Sequence, residues 1–263
     1  MVESMFFYPD AATYTQPAQF GLPHEDVFFD SGGARLHGWW LPARATPALG
    51  SVLHVHGNAA NISNHLPLAA WLPPAGFNVL MFDYRGFGRS EGRPTLDGVV
   101  DDTAAALAVL RQRADVDPAR LAVFGQSLGG ATALRLLARP GMANGVRLVI
   151  IDSAFTGYRA IAKEAALGSV VLAPFLPLAL PTLPVRDDDP ITAVASITVP
   201  LLFVHGSADR VVRAHHSDQL YAAAREPKRL LKIEGAAHME PVMRAGVQRE
   251  LLAALKQAMT AVG

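Results

Sequence analysis

The sequence predicts an α/β protein built on a mostly parallel sheet of eight strands, and three observations carry that reading. Short apolar runs rich in β-branched residues alternate with helical stretches along most of the chain, an order that builds parallel strands joined by helical crossovers. Those runs are almost continuously apolar, as strands covered by helices on both faces must be. Near the N-terminus the pattern differs: two strand-like runs flank Ser31-Gly32-Gly33, a turn sequence that closes an antiparallel hairpin.

Taken in order, Asp26–Asp30 and Arg35–Leu41 form the hairpin, and Ser51–His56 and Phe77–Asp83 follow as the third and fourth strands. Asp97–Arg113 reads as a helix with Val100, Leu107 and Leu110 inward and Asp101, Asp102, Arg111 and Arg113 flanking. Leu121–Phe124 is the fifth strand, Ala131–Ala138 a helix and Val146–Asp152 the sixth strand. Leu201–His205 and Leu230–Glu234 complete the sheet, and Val247, Leu251, Leu255 and Met259 step by four along a last helix. Almost 50 residues separate Asp152 from Leu201, too many for a simple crossover. The chain therefore reads as one domain, 1–263, with a small cap-like insertion at about 155–195 over the C-terminal edge of the strands, the edge where open α/β sheets bind ligands.

Composition narrows the function. Of 263 residues 51% are apolar, and 23 Lys and Arg balance 23 Asp and Glu with no long basic run. A disordered chain and a charge-driven nucleic-acid binder are both excluded. There is no cysteine, hence no disulfide, thiolate zinc site or thiol nucleophile; a reducing, cytoplasmic setting is the expectation. No secretory leader is legible. Ala165–Val185 is free of charge, but Pro174, Pro177, Pro181 and Pro184 interrupt it, so buried or pocket-lining surface is expected there rather than a membrane span.

The residues that carry chemistry begin with Gly125-Gln126-Ser127-Leu128-Gly129-Gly130, set between a strand and a helix. A G-x-S-x-G string alone is weak, and a glycine-rich packing turn would look alike. In a strand-to-helix turn, however, it presents a serine on a strained corner whose neighbours must be small, with the free N–H groups of the helix at its oxygen. Serine becomes a nucleophile only when a histidine accepts its proton and a carboxylate orients that histidine. Asp209 follows the strand Leu201–His205 and His238 the strand Leu230–Glu234, in the required order. Asp209 could otherwise be a helix cap, His238 a solvated loop residue, and Asp152 at its strand end is the competing acid.

An oxyanion needs two backbone donors. Leu128 N–H is one, and Asn58 N–H in His56-Gly57-Asn58-Ala59-Ala60-Asn61 is the other, with Ala59 as fallback; Asn58 could also cap the helix that follows. His54 and His56 share a strand face without a third ligand, so no metal is expected, and His205, His215 and His216 read as packing or surface residues. Asp83-Tyr84-Arg85-Gly86-Phe87-Gly88-Arg89-Ser90-Glu91-Gly92 lacks the dinucleotide and P-loop fingerprints. It reads as a structural loop, with Asp83 and Arg85 satisfying its backbone.

With HGNA, DYRGFGRSEG, GQSLGG, PLLFVHGSADRVV and the late Gly-Ala-Ala-His loop in order from about Gly21 onward, the chain resembles the α/β-hydrolase superfamily, in its small esterase- and lipase-like serine branch. The resemblance implies a central eight-stranded sheet, Ser127, Asp209 and His238 as triad, and no cofactor. The expected activity is hydrolysis of carboxylic esters of short to medium acyl chain, with a small-molecule ester as substrate and neither nucleic acid nor a membrane span expected. An amidase or peptidase, a thioesterase or acyltransferase, and a non-catalytic binding protein on the same fold remain the alternatives. Ser127 at the elbow excludes the branches that place a carboxylate there. Oligomeric state is not legible.

Overall fold

The computed structural model describes residues 6–168, 180–183 and 185–260. Eight strands, β1 (Glu25–Ser31), β2 (Ala34–Leu41), β3 (Gly50–Val55), β4 (Phe77–Phe82), β5 (Leu121–Gln126), β6 (Val146–Asp152), β7 (Leu201–Gly206) and β8 (Lys228–Ile233), form one sheet in the order β1-β2-β4-β3-β5-β6-β7-β8. The pairs β1–β2 and β2–β4 are antiparallel and every other pair is parallel. This is the α/β-hydrolase fold that the motifs imply. Gly32 and Gly33 close the hairpin at φ 56° and 85°, the positive pair that a two-residue type I′ turn requires.

The central strands are apolar throughout because each face meets its own helices. On β5, Leu121 and Val123 enter one core and Ala122 and Phe124 the other, the two-residue alternation of a pleated strand. The first core packs under α2 (Gly98–Gln112) and α3 (Leu128–Leu137) through Val100, Leu107, Leu110 and Leu134. The second packs under α1 (Ile62–Ala69) and the C-terminal helix Ala245–Thr260, whose Val247, Leu251, Leu255 and Met259 are all buried.

Four local expectations are corrected. The helix after Ser127 starts at Leu128 rather than Ala131; Gly129 and Gly130, poor helix formers, hid its first turn. Asp102, expected on the solvent side of α2, is fully buried and takes the Arg85 guanidinium on both carboxylate oxygens at 2.7–3.0 Å. Arg85 thus pairs with a helix carboxylate and reaches Ser31, instead of serving its own loop. Asp83 accepts the Ile62 N–H at 2.8 Å, and α1 is capped by Asn61 rather than Asn58.

Between β6 and β7 the described residues include α4 (Tyr158–Leu167), a 3-10 turn (Leu180–Thr182) and α5 (Pro190–Ala193). Phe155 and Tyr158, at the start of the expected cap-like insertion, are packed in the main core, while most of Ala165–Val185 lies outside the described residues. Buried Arg135 on α3 anchors the return of this segment, binding Asp188 at 2.6 Å and Asp97 at 2.8 Å. No helix among the described residues is long and apolar enough to cross a membrane. At the open edge, β8 carries three cations, each held in place: Lys228 on Ala224 O at 2.7 Å, Arg229 on Glu250 at 2.5 Å and Lys232 on Asp218 at 2.7 Å.

Candidate active site

Ser127 stands between β5 and α3 at φ 52°, ψ −116°, a conformation that non-glycine residues adopt only where the surroundings impose it. Packing imposes it here. A β-carbon on Gly129 would lie 1.9 Å from Val55 O, and one on Gly125 would lie 2.6 Å from Gly129 O, so strand and helix close on each other only with glycine at both places. Ser127 N–H donates to Asp152 O at 2.8 Å, which ties the corner to the tip of β6.

The structure brings Ser127, His238 and Asp209 together at the C-terminal edge of the sheet. Ser127 Oγ lies 3.1 Å from His238 Nε2, and His238 Nδ1 lies 2.7 Å from Asp209 Oδ2. Asp209 Oδ1 accepts the N–H groups of Val211 at 2.8 Å and Val212 at 2.9 Å, so the carboxylate is fixed at both oxygens. His205 Nε2 also faces it, 3.2 Å from Oδ2. Burial alone would raise the Asp209 carboxyl; hydrogen bonds from His205, His238 and the Val212 N–H outweigh it and hold the group below the ordinary carboxylate range. An anion here keeps the His238 proton on Nδ1 and leaves Nε2 to accept from serine.

Asp152, the competing acid, is engaged elsewhere. Its Oδ2 accepts from Gln126 Nε2 at 2.9 Å and its Oδ1 from Ser153 Oγ at 2.9 Å. Gln126 Oε1 in turn meets His54 Nε2 at 2.8 Å, and Ser153 Oγ accepts the Met239 N–H at 3.3 Å. This buried relay crosses the tips of β3, β5 and β6 to the residue after His238. Burial raises the Asp152 carboxyl and holds His54 down at about 3, so the histidine is neutral. Sequence reasoning missed the relay and the His205 contact; single buried polar residues on apolar strands were the only signal.

The two expected oxyanion donors lie on abutting segments. Leu128 heads α3, where first-turn N–H groups have no partner within the helix and the helix dipole favours negative charge. Asn58 follows the tip of β3, whose Val55 and His56 carbonyls press on Gly129. The fallback, Ala59 N–H, donates to Asn58 Oδ1 at 3.0 Å and is therefore engaged. Met239 closes the far side: its Sδ would lie 3.3 Å from a β-carbon on Gly57.

One further cluster gathers metal-type ligands away from these residues. Glu164 on α4 meets His215 Nε2 at 3.0 Å and His216 Nε2 at 3.4 Å. Thr156 N–H donates to His216 Nδ1 at 3.2 Å, which puts the ring proton on Nε2. That nitrogen then carries a proton rather than a lone pair for an ion, and it makes no aligned hydrogen bond although the Glu164 carboxylate is 3.4 Å away.

Fold and site geometry together define a hydrolase of the α/β-hydrolase superfamily. Residues 46–195 match the family model described as serine aminopeptidase, S33, and the chain belongs to that family. It is 42% identical to the uncharacterized protein YfhR of Escherichia coli K12 over 245 residues, covering 90% of this chain and 80% of that protein. The α/β-hydrolase domain-containing protein WAV2 of Arabidopsis thaliana is 33% identical over 246 residues, 88% of this chain and 77% of WAV2. The Pyrococcus furiosus esterase Pf2001 superposes with a TM-score of 0.74 at 21% identity, over 96% of this chain and 98% of the esterase; that likeness is one of fold.

Proposed function

We propose that the protein is a serine hydrolase of small carboxylic esters, with Ser127 as nucleophile, His238 as general base and acid, and Asp209 as orienting carboxylate. The observation that carries the reading is the hydrogen-bonded line from Ser127 Oγ through His238 to a buried, doubly anchored Asp209. Ser127 Oγ attacks the ester carbonyl as His238 Nε2 takes its proton, and the N–H groups of Asn58 and Leu128 hold the oxyanion. The imidazolium protonates the leaving alcohol, and water activated by the same histidine then releases the acid from Ser127. The insertion at about 155–195, with its charge-free stretch Ala165–Val185, is proposed as the cap that covers an acyl group of short to medium length.

The family's description favours a second reading, an aminopeptidase. Such an enzyme must hold a substrate ammonium, and among the described residues three carboxylates beside the triad already have partners. Asp209 serves two histidines, Asp152 serves Gln126 and Ser153, and Glu240 serves the Ala237 N–H and Arg244. Ester cleavage is therefore preferred, and matched ester and amide substrates decide between the two.

The test is Ser127→Ala with a panel of p-nitrophenyl esters from two to twelve carbons. Turnover and fluorophosphonate labelling should both vanish while the urea midpoint stays near that of the parent; wild-type turnover in this variant would sink the assignment.

A further inference from the structure

A segment remote in sequence binds the loop after β3. Residues 6–15 cross that loop as an irregular strap. Tyr8 N–H donates to Asn58 Oδ1 at 3.1 Å, the oxygen that also accepts Ala59 N–H. Ala60 N–H donates to Tyr8 O at 3.0 Å, and Ala60 O accepts Asp10 N–H at 3.2 Å, a short parallel bridge about Pro9. Asn61 Nδ2 donates to Asp10 O at 2.9 Å and to Ala12 O at 2.8 Å. The strap is knotted on itself, because the Tyr14 hydroxyl donates to Asp10 Oδ2 at 2.6 Å. Its upstream end is anchored by buried Phe7, edge-on to Phe87.

What the strap holds is a strained pair. Ala59 and Ala60 have φ of 79° and 55°, the left-handed region that a β-carbon disfavours. Consecutive residues stay there only when their surroundings overdetermine them, and the strap bonds Ala60 on both its N–H and its carbonyl. The Asn58 peptide sits directly ahead of this pair and the Asn58 side chain is itself held by the Tyr8 N–H, so strap and pair together brace the segment that carries the Asn58 N–H.

We infer that the strap, gripped by Asn61, is a positioning element for the Asn58 oxyanion donor, with Asn61 and Tyr14 as positioning residues. The inference rests on the serine hydrolase reading and extends it. Without the strap, Ala59 and Ala60 relax toward ordinary backbone and the Asn58 N–H turns away from the oxyanion. Substrate binding is spared, because a carbonyl in the ground state leans on this donor less than an oxyanion does.

Asn61 separates this role from folding. Its Oδ1 caps α1 by accepting Ser63 N–H at 2.9 Å, while its Nδ2 holds the strap. Asn61→Asp keeps the cap and sets a carboxylate oxygen against two carbonyls. Wild type, Asn61→Asp and Tyr14→Phe are assayed on p-nitrophenyl acetate, with active sites counted by fluorophosphonate. A trifluoromethyl ketone, which forms an oxyanion on the serine, is used as inhibitor. In Asn61→Asp, kcat per labelled site should fall about tenfold or more with KM within about twofold, and the ketone Ki should rise by the same factor. Tyr14→Phe, on a half-exposed residue, should shift both in the same direction by less, and it carries the test should Asn61→Asp fail to fold. Unchanged kcat and Ki per labelled site, with only the melting temperature lowered, would make the strap structural and overturn the inference. Wild type that does not label would overturn the hydrolase reading itself and this inference with it.

Discussion

Replacing Asp209 by asparagine is informative because the loop dictates which way the amide points. Asp209 Oδ1 accepts two backbone N–H groups, from Val211 and Val212, a place only the asparagine carbonyl can take. Its Nδ2 must then occupy the site of Oδ2, 2.7 Å from His238 Nδ1. An amide nitrogen donates, so His238 Nδ1 must accept and the ring proton moves to Nε2, the nitrogen that faces Ser127 Oγ at 3.1 Å. In that tautomer the imidazole cannot take the serine proton. On the proposed mechanism the inverted ring should cost about 10⁴ in kcat at neutral pH, the size of the same swap in a serine protease triad, or about 5 kcal/mol of transition-state stabilisation. His205 Nε2, 3.2 Å from the same oxygen, would also face a donor but keeps Val212 O at 2.8 Å, so the added stability cost is below about 1 kcal/mol. The assay is kcat on p-nitrophenyl acetate with active-site titration, run on Asp209→Asn and Asp152→Asn together. Asp152 makes no hydrogen bond to His238 and should cost less than about tenfold. If Asp209→Asn keeps kcat within tenfold of wild type while Asp152→Asn collapses, the orienting acid is Asp152 and the argument fails.

Two predictions concern stability. Burial holds His54 down at about 3 and His56 well below its ordinary value, so both are neutral in the fold, whereas the unfolded chain takes up protons near pH 6.5. Their stabilisation is complete above that pH and is lost on acidification. Between pH 7.5 and 5.5 each contributes about 1.4 kcal/mol, together about 3 kcal/mol. Asp83 and Asp152, raised by burial, act in the opposite sense, because the folded state then protonates first. Urea midpoints at the two pH values, at constant m, read the net and should fall where the histidines dominate; a midpoint that rises shows that the buried carboxyls outweigh them. Gly129→Ala puts a β-carbon 1.9 Å from Val55 O and should destabilise by about 3 kcal/mol or more, read as a lower urea midpoint; an unshifted midpoint would show that the elbow has slack.

Most of the fold was legible because periodicity and turn chemistry agree with tertiary packing. All eight strands lie within two residues of their expected ends, and the glycines at 32 and 33 named the hairpin. The residues expected at the site are brought together because each follows a strand whose C-terminal end lies at the same sheet edge. Other features resisted for physical reasons. Asp102 is charged, so helical periodicity placed it outside; inside, Arg85, a strand tip away, satisfies it with both guanidinium and backbone N–H. Asn58 and Asn61 are equally good caps by residue type, and the choice falls to contacts with the strap. The strap itself has no periodicity, and its bonds join backbone to side chains some 50 residues away, a pairing that no local pattern encodes. The late loop holds Gly235 at φ 68° and Met239 at φ 56°; the glycine advertises such a turn and the methionine conceals it.

The cations pinned along β8 bear on how the molecule behaves in crowded solution. A strand with a free side is a template onto which another chain can zip its own backbone. Here any incoming chain must first displace lysine and arginine heads braced by carboxylates and a helix-end carbonyl. Because two of the braces are solvent-facing ion pairs, added electrolyte loosens them and screens the repulsion between like rims. Self-association through this border therefore increases with ionic strength, and dilute buffer is the condition that keeps copies apart.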